Sequence, residues 1–340
     1  MRIKVLAPLF LTVICSLLSA LMAQAAVPPP GLATKLPAKL PTKILNEKKM
    51  LLRLDSFGKP GFELADANHT AMIFDLPVTY NHRVRKWIGY FQGEGRNWFR
   101  RWLERSNRHI PMIQQILDQH GLPKDLIYIA MIESGFSPQA TSSAAAVGPW
   151  QFMPLTGKQY GLDSNWWLDE RRDFAKSTNA AASYFRYLYG LFKSWYLAAA
   201  AYNMGENRLR RLIKKYGTRD YWKISNMDEF AQETKDYVPK LMAAILIAKA
   251  PALYGFRDLD PHHPLKYDTV DVPGGIDLIN LANHIGVTQK YIRDLNPELI
   301  QGFIPNFVAS HKIRVPNGAR PEVERYVGLT QGIDLSRHTD

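Results

Sequence analysis

Between about Leu51 and Ala250, apolar residues recur at helical spacing, and beyond about Pro264 the pattern changes to short alternating runs. In RHIPMIQQILDQHG, Ile110, Ile113, Ile116 and Leu117 share one face, and Gly121 closes the segment. LPKDLIYIAMIESG predicts a helix with Pro123 near its first turn and Gly135 at its stop. STNAAASYFRYLYGLF places Ala181, Phe185, Leu188 and Phe192 on one stripe, with Ser177 as the expected N-cap. WYLAAAAYNMG has so few polar residues that its helix must be buried, and ETKDYVPKLMAAILIAKA reads as a longer helix with Pro239 in its first turns. The whole region predicts about seven or eight helices and no hairpin.

The second texture is different. KYDTVDV alternates like a strand, and IDLINLANHIGV places Leu278, Leu281, Ala282 and Ile285 at helical spacing. TQKYIRDLNP is a second short helix stopping before Pro297, and HKIRVPNG is a second strand. The expected fold class is therefore α+β: a mainly helical domain, residues 51–255, followed by a small β-α-α-β unit, residues 264–318, and a tail, 319–340.

The N-terminus bears on compartment. Arg2 and Lys4 precede an apolar run from Val5 to Met22, and Ala23-Gln24-Ala25 closes it with small residues at both key positions. Residues 1–25 thus read as a secretory signal, a retained membrane anchor being the alternative. The expected localisation is the periplasm or cell envelope. Cleavage would remove Cys15, the single cysteine, and would take the formal charge of +12 down by two, to +10. Residues 26–50, rich in proline, read as an extended linker. So basic a chain suits an anionic partner. Arg210, Arg211, Lys214 and Lys215 read most simply as a solvated helix face, which sets nucleic acid aside. The nine histidines are scattered, so neither a metal site nor a cofactor is expected.

Glu133 is the residue that asks for an explanation. It ends the apolar run Tyr128-Ile129-Ala130-Met131-Ile132, where desolvation raises a carboxyl pKa and keeps the protonated form that a general acid needs. A carboxylate fraying into solvent is the other reading, although a helix C-terminus disfavours an anion. Downstream, AAAVGPWQFMPLTG presents Trp150, Gln151, Phe152 and Met153 at a Gly-Pro bend. That composition suits either a sugar-binding cleft wall or, for the aromatics, plain core. Tyr202 and Asn203 end a buried helix, and Tyr237 is a polar aromatic on an apolar one.

ESGFSPQATSSAAAVGPWQFMPLTGKQYGL, AYNMG and ETKDYVP, taken together, resemble the lysozyme-like domain of family 1 lytic transglycosylases, of the membrane-bound lytic murein transglycosylase D type. The resemblance runs from about Asn81 to Ala250, and three separated motifs agree in order and distance. It implies that Glu133 is a single catalytic acid/base assisted by Ser134, and that Gln151, Met153, Tyr202, Asn203 and Tyr237 bind substrate. The family's G-L-M-Q motif stands here as GPWQ, so Pro149 and Trp150 depart from it. The C-terminal unit is similar to a LysM module, which binds N-acetylglucosamine chains, but lacks the usual Gly-Asp-Thr-Leu turn. The implied partner is the peptidoglycan glycan strand, with no nucleic acid, and with peripheral membrane or cell-wall association as a further option. The implied reaction cleaves between N-acetylmuramic acid and N-acetylglucosamine without water, leaving a 1,6-anhydro end. Two alternatives remain. One is a lysozyme-type hydrolase, which would need a second carboxylate such as Asp169, Glu170 or Glu206. The other is a non-catalytic peptidoglycan-binding protein.

Overall fold

The computed structural model describes residues 50–54, 60–62 and 72–332. The expected signal and nearly all of the expected linker therefore lie outside the described residues. Met50 does not belong to a linker: it opens a three-stranded antiparallel sheet of β1 (Met50–Leu54), β2 (Pro60–Phe62) and β3 (Met72–Phe74), ordered β2-β1-β3. Leu52 stands opposite Phe62 on one side and Met72 on the other. The expectation of no hairpin fails at β1 and β2. Strands of only three to five residues carry too little alternation to register in the sequence.

The helical domain follows. It comprises α1 (His82–Gln92), α2 (Arg96–Gln119), α3 (Ile127–Ser134), α4 (Pro154–Gln159), α5 (Phe174–Phe192), α6 (Trp195–Met204), α7 (Glu206–Tyr216), α8 (Tyr221–Ile224) and α9 (Gln232–Lys249). Asn81 caps α1 by accepting from the amides of Arg83 and Val84. α5 starts earlier than expected. Its cap is Asp173, whose carboxylate accepts from Lys176 N at 2.7 Å, while Ser177 lies inside the helix and bonds back to the Asp173 carbonyl. A carboxylate at the first turn also meets the positive end of the helix dipole, which a serine one turn later cannot do.

α3 sits at the centre of the domain. Every side chain from Ile127 to Ile132 is buried, and the helix packs against α2 and α9. A helix apolar on all sides has no solvent face and must be the middle layer. Each large aliphatic side chain buried there stabilises the fold by roughly 1.5–3 kcal/mol. The expected stripe of α5 is borne out, with Ala181, Phe185, Leu188 and Phe192 all in the same core.

The C-terminal unit is β4 (Tyr267–Val272), α10 (Leu278–His284), α11 (Gln289–Leu295) and β5 (His311–Pro316), in the expected order. The two strands pair antiparallel with Val270 opposite Ile313, and both residues face the unit's core. The expected tail is in part a further helix, α12 (Arg320–Thr330), whose Val323 is fully buried in that core. Trp167 and Leu168, from the loop before α5, are buried in the same cluster, so the helical domain contributes to the core of the smaller unit.

Candidate active site

α3 ends at Ser134 because Gly135 adopts the left-handed conformation, φ +59°, and its amide turns back to the Met131 carbonyl at 2.8 Å. A β-carbon on Gly135 would lie 2.0 Å from Trp102 Nε1, so glycine is required by both backbone and space. This stop delivers Glu133 to the rim of the core, where it is half-buried. One carboxylate oxygen accepts a hydrogen bond from the Tyr237 hydroxyl of α9 at 2.5 Å. Burial pushes the Glu133 pKa up to about 7, against the opposing pull of the Tyr237 hydrogen bond and the Lys240 charge, with Glu233 adding to the rise. The same burial, reinforced by Glu133, drives the Tyr237 hydroxyl well above its ordinary pKa, so it remains a donor.

The unfavourable end of the α3 dipole is met by two cations. Lys240 Nζ donates to the Ile132 carbonyl at 3.1 Å, and Arg105 donates to the Gly135 carbonyl at 2.9 Å. Lys240 also lies over the rings of Trp87 and Trp102. Sequence reasoning points to neither Lys240 nor Glu233. A signal is nonetheless present: they stand three residues after and four before Tyr237, on one face of α9.

Ser134 is engaged by the backbone around it. Its hydroxyl donates to the Pro149 carbonyl at 2.8 Å and accepts from Ser137 N at 3.1 Å, tying the end of α3 to the loop that follows. That loop is strained: Phe136, Ala145 and Gln151 have φ of +59°, +63° and +50° without being glycine. Such conformations persist only where the surroundings over-determine them, and they concentrate at functional sites. The Gln151 amide donates to the Gly148 and Ala140 carbonyls of its own loop. Met153 is exposed at the start of α4.

Trp150 and Phe152 are not cleft walls. Both are buried in the core, and the Trp150 indole donates to Thr178 Oγ1 at 2.9 Å. The backbone of Trp150 contributes instead, since its carbonyl accepts from the Tyr202 hydroxyl at 2.7 Å. Tyr202 stacks on Phe185 with ring centroids 4.6 Å apart, and burial, then Glu133, raises its pKa well above the ordinary value. Asn203 accepts from Thr234 Oγ1 at 2.7 Å and donates to Glu233 at 3.3 Å, joining α6 to the first turn of α9. Glu133, Tyr202 and Tyr237 thus come together, Asn203 is linked to them through Glu233 and Thr234, and Gln151 and Met153 sit on the adjoining loop.

The three carboxylates considered as a second catalytic group are engaged elsewhere. Asp169 pairs with Arg171, Glu170 with Lys176, and Glu206 accepts from Tyr184 at 3.1 Å. Glu233, exposed on α9, is the carboxylate that bears on Glu133. Between the loop before α5 and the C-terminal unit, a groove of about 370 Å³ is lined by Trp166 of the loop and by Asp277, Phe303, Asn306 and Phe307 of the unit, among others. Trp166 and Phe307 are exposed, and Trp166 meets Phe303 with ring centroids 5.9 Å apart.

Comparison with known proteins shows what the chain is similar to. Residues 111–225 match the Transglycosylase SLT domain, and residues 266–326 match the LysM-like domain of lytic transglycosylase MltD. Membrane-bound lytic murein transglycosylase D of Escherichia coli K12 is 32% identical over 197 residues, covering 56% of this chain and 43% of that protein. A putative tributyltin chloride resistance protein of an Alteromonas species is 36% identical over 110 residues, covering 32% of this chain and 53% of its own. The chain thus spans about half the length of the curated relatives it matches. Among solved structures, the 70 kDa soluble lytic transglycosylase of Escherichia coli aligns at 22% identity over 46% of this chain and 26% of its own. The TM-score of that alignment is 0.37.

Proposed function

The chain belongs to the family 1 lytic transglycosylases, through its SLT domain and its LysM-like domain of the MltD type, and from that premise we propose that it cleaves peptidoglycan glycan strands with Glu133 as the only acid/base. The observation that carries the reading is the setting of Glu133. It follows the buried run Ile127 to Ile132 in the last turn of α3, is hydrogen-bonded by Tyr237 at 2.5 Å, and has its pKa pushed up to about 7.

Protonated Glu133 gives its proton to the glycosidic oxygen between N-acetylmuramic acid and N-acetylglucosamine. The substrate's own acetamide stabilises the cationic anomeric carbon. Glu133, now a carboxylate, takes the proton of the C6 hydroxyl, whose oxygen closes the 1,6-anhydro ring. One group serves both transfers because a pKa near 7 populates both of its forms near neutral pH. Tyr237 stabilises the carboxylate formed between the two transfers. Tyr202 and Asn203 line the site from α6, and Ser134, Gln151 and Met153 shape its loop side. A hydrolase on the same fold is the rival reading, and Glu233 is the residue that could hold its water.

The aromatic groove between that loop and the C-terminal unit is proposed to hold a second stretch of glycan. Export by residues 1–25 to the periplasm or cell envelope, and peripheral association there with membrane or wall, belong to the same reading. Among the described residues no helix is long and apolar enough to cross a membrane. The direct test is Glu133→Gln, which keeps the volume and loses the proton. Turnover of sacculi should fall by about 10²–10⁴ with the circular dichroism spectrum unchanged. Turnover close to that of the parent would remove Glu133 from this role.

A further inference from the structure

The loop between α4 and α5 connects the candidate active site to the C-terminal unit, and both of its ends are fixed. On the side of the unit, Trp167 and Leu168 are buried with Val270, Val272 and Ile313. Asp169 N donates to the Glu298 carbonyl at 2.8 Å, and Ile300 N donates to the Trp167 carbonyl at 3.0 Å. Arg314 of β5 then reaches across: one terminal nitrogen pairs with Asp173, the cap of α5, and the other with Glu298 at 2.9 Å. Asp173 and Glu298 are almost fully buried, so neither carboxylate has water as an alternative partner.

On the side of the site, Arg171 holds Asp169 through two nitrogens at 2.9 Å each and donates to the Ala145 carbonyl at 2.9 Å and the Phe152 carbonyl at 3.2 Å. Arg172 donates to the Pro138 carbonyl at 3.0 Å. Gly148 lies so close that a β-carbon there would be 1.9 Å from the Arg171 carbonyl oxygen. The strained segment 138–152, carrying Gln151 and the Pro149 carbonyl that Ser134 grips, is thus held by residues flanked on both sides by Asp169 and Asp173.

We propose that the C-terminal unit is a fixed brace for the active-site loop rather than a freely tethered binding module, and that Arg314 is its positioning residue, acting through Asp173 and the Asp169–Arg171–Arg172 segment. This rests on the proposed function only in taking the 138–152 loop as part of the substrate site. The consequence is that loss of the brace lowers turnover even of short soluble substrates, because a loop displaced by about 1 Å costs on the order of 10²-fold in rate.

The test is Arg314→Lys in the full chain. Lysine keeps the charge but lacks the planar fork that grips two carboxylates through separate nitrogens. With soluble tetrasaccharides of alternating N-acetylglucosamine and N-acetylmuramic acid, kcat should fall about tenfold or more, while the variant's binding to intact sacculi is unchanged. Combining it with Arg172→Lys should cost less than the product of the two single effects, since both act along one path. An unchanged kcat on the tetrasaccharide with weakened sacculus binding would overturn the brace in favour of a tether. Fully multiplicative effects would overturn the shared path. A second measurement needs no variant that must fold: native-state hydrogen exchange of the parent chain in rising denaturant. Amides of 138–152 and the Asp169 and Ile300 amides that join the α4–α5 loop to the unit should open together, and opening of the unit while the 138–152 loop stays protected would overturn the proposal. The exchange readout is independent of turnover, so it separates failure of the brace from failure of the proposed function.

Discussion

Replacing Glu133 by glutamine should stabilise the protein, and only above a definite pH. In the fold Glu133 keeps its proton up to about pH 7, whereas an ordinary glutamate loses it near 4.5, because burial outweighs the Tyr237 hydrogen bond and the Lys240 charge. A carboxyl whose folded pKa is raised binds its proton more tightly in the native state. Its contribution is therefore most favourable below pH 4.5, is lost progressively as pH rises to 7, and stays lost above. At roughly 1.4 kcal/mol per pH unit, that interval comes to about 3 kcal/mol. Glutamine has no charge to desolvate and can still accept from Tyr237. Urea unfolding of parent and Glu133→Gln at pH 4, 6 and 8 should give curves within about 1 kcal/mol at pH 4, with the variant ahead by up to about 3 kcal/mol at pH 8. Equal pH dependence in the two proteins would show that Glu133 is ordinarily solvated and is not held protonated by its setting.

Tyr237→Phe removes the donor that favours the charged form of Glu133 at 2.5 Å. A hydrogen bond to a charged group is worth about 1.5–3 kcal/mol, so the basic limb of the kcat profile should move up by about one to two pH units; a limb that stays put or moves down contradicts the assignment. Gly135→Ala meets both a left-handed backbone and the Trp102 ring 2.0 Å away. It should lower unfolding free energy by more than about 1 kcal/mol in urea titration, and a neutral outcome would mean that the α3 stop is not held by this glycine.

What the sequence made legible was whatever depends on local periodicity. The all-apolar run into Glu133, the stop at Gly135 and the β-α-α-β order are all present in the structure as read. What it hid depends on long-range pairing. Trp150 and Phe152 look the same in a cleft wall and in a core, and only the packing of α5 and α6 around them decides for the core. Glu233 and Lys240 carry no mark of their own, since charged residues on a helix usually face solvent; they matter because α9 lies against the end of α3. The docking of Trp167 and Leu168 into the smaller unit was invisible for the same reason, because their partners Leu299 and Ile313 lie more than a hundred positions away.

The fate of water decides whether the proposed reaction is the one this chain performs. Sacculi digested by the full chain in oxygen-18 water should yield muropeptides ending in 1,6-anhydro-N-acetylmuramic acid. Mass spectrometry should find no heavy oxygen at the new end and a mass lower by one water than that of the hydrolysis product, and borohydride should leave that end unreduced. A labelled, reducible N-acetylmuramic acid end would contradict the account: water would then be the nucleophile, and Glu233 the first residue to examine as the carboxylate that holds it.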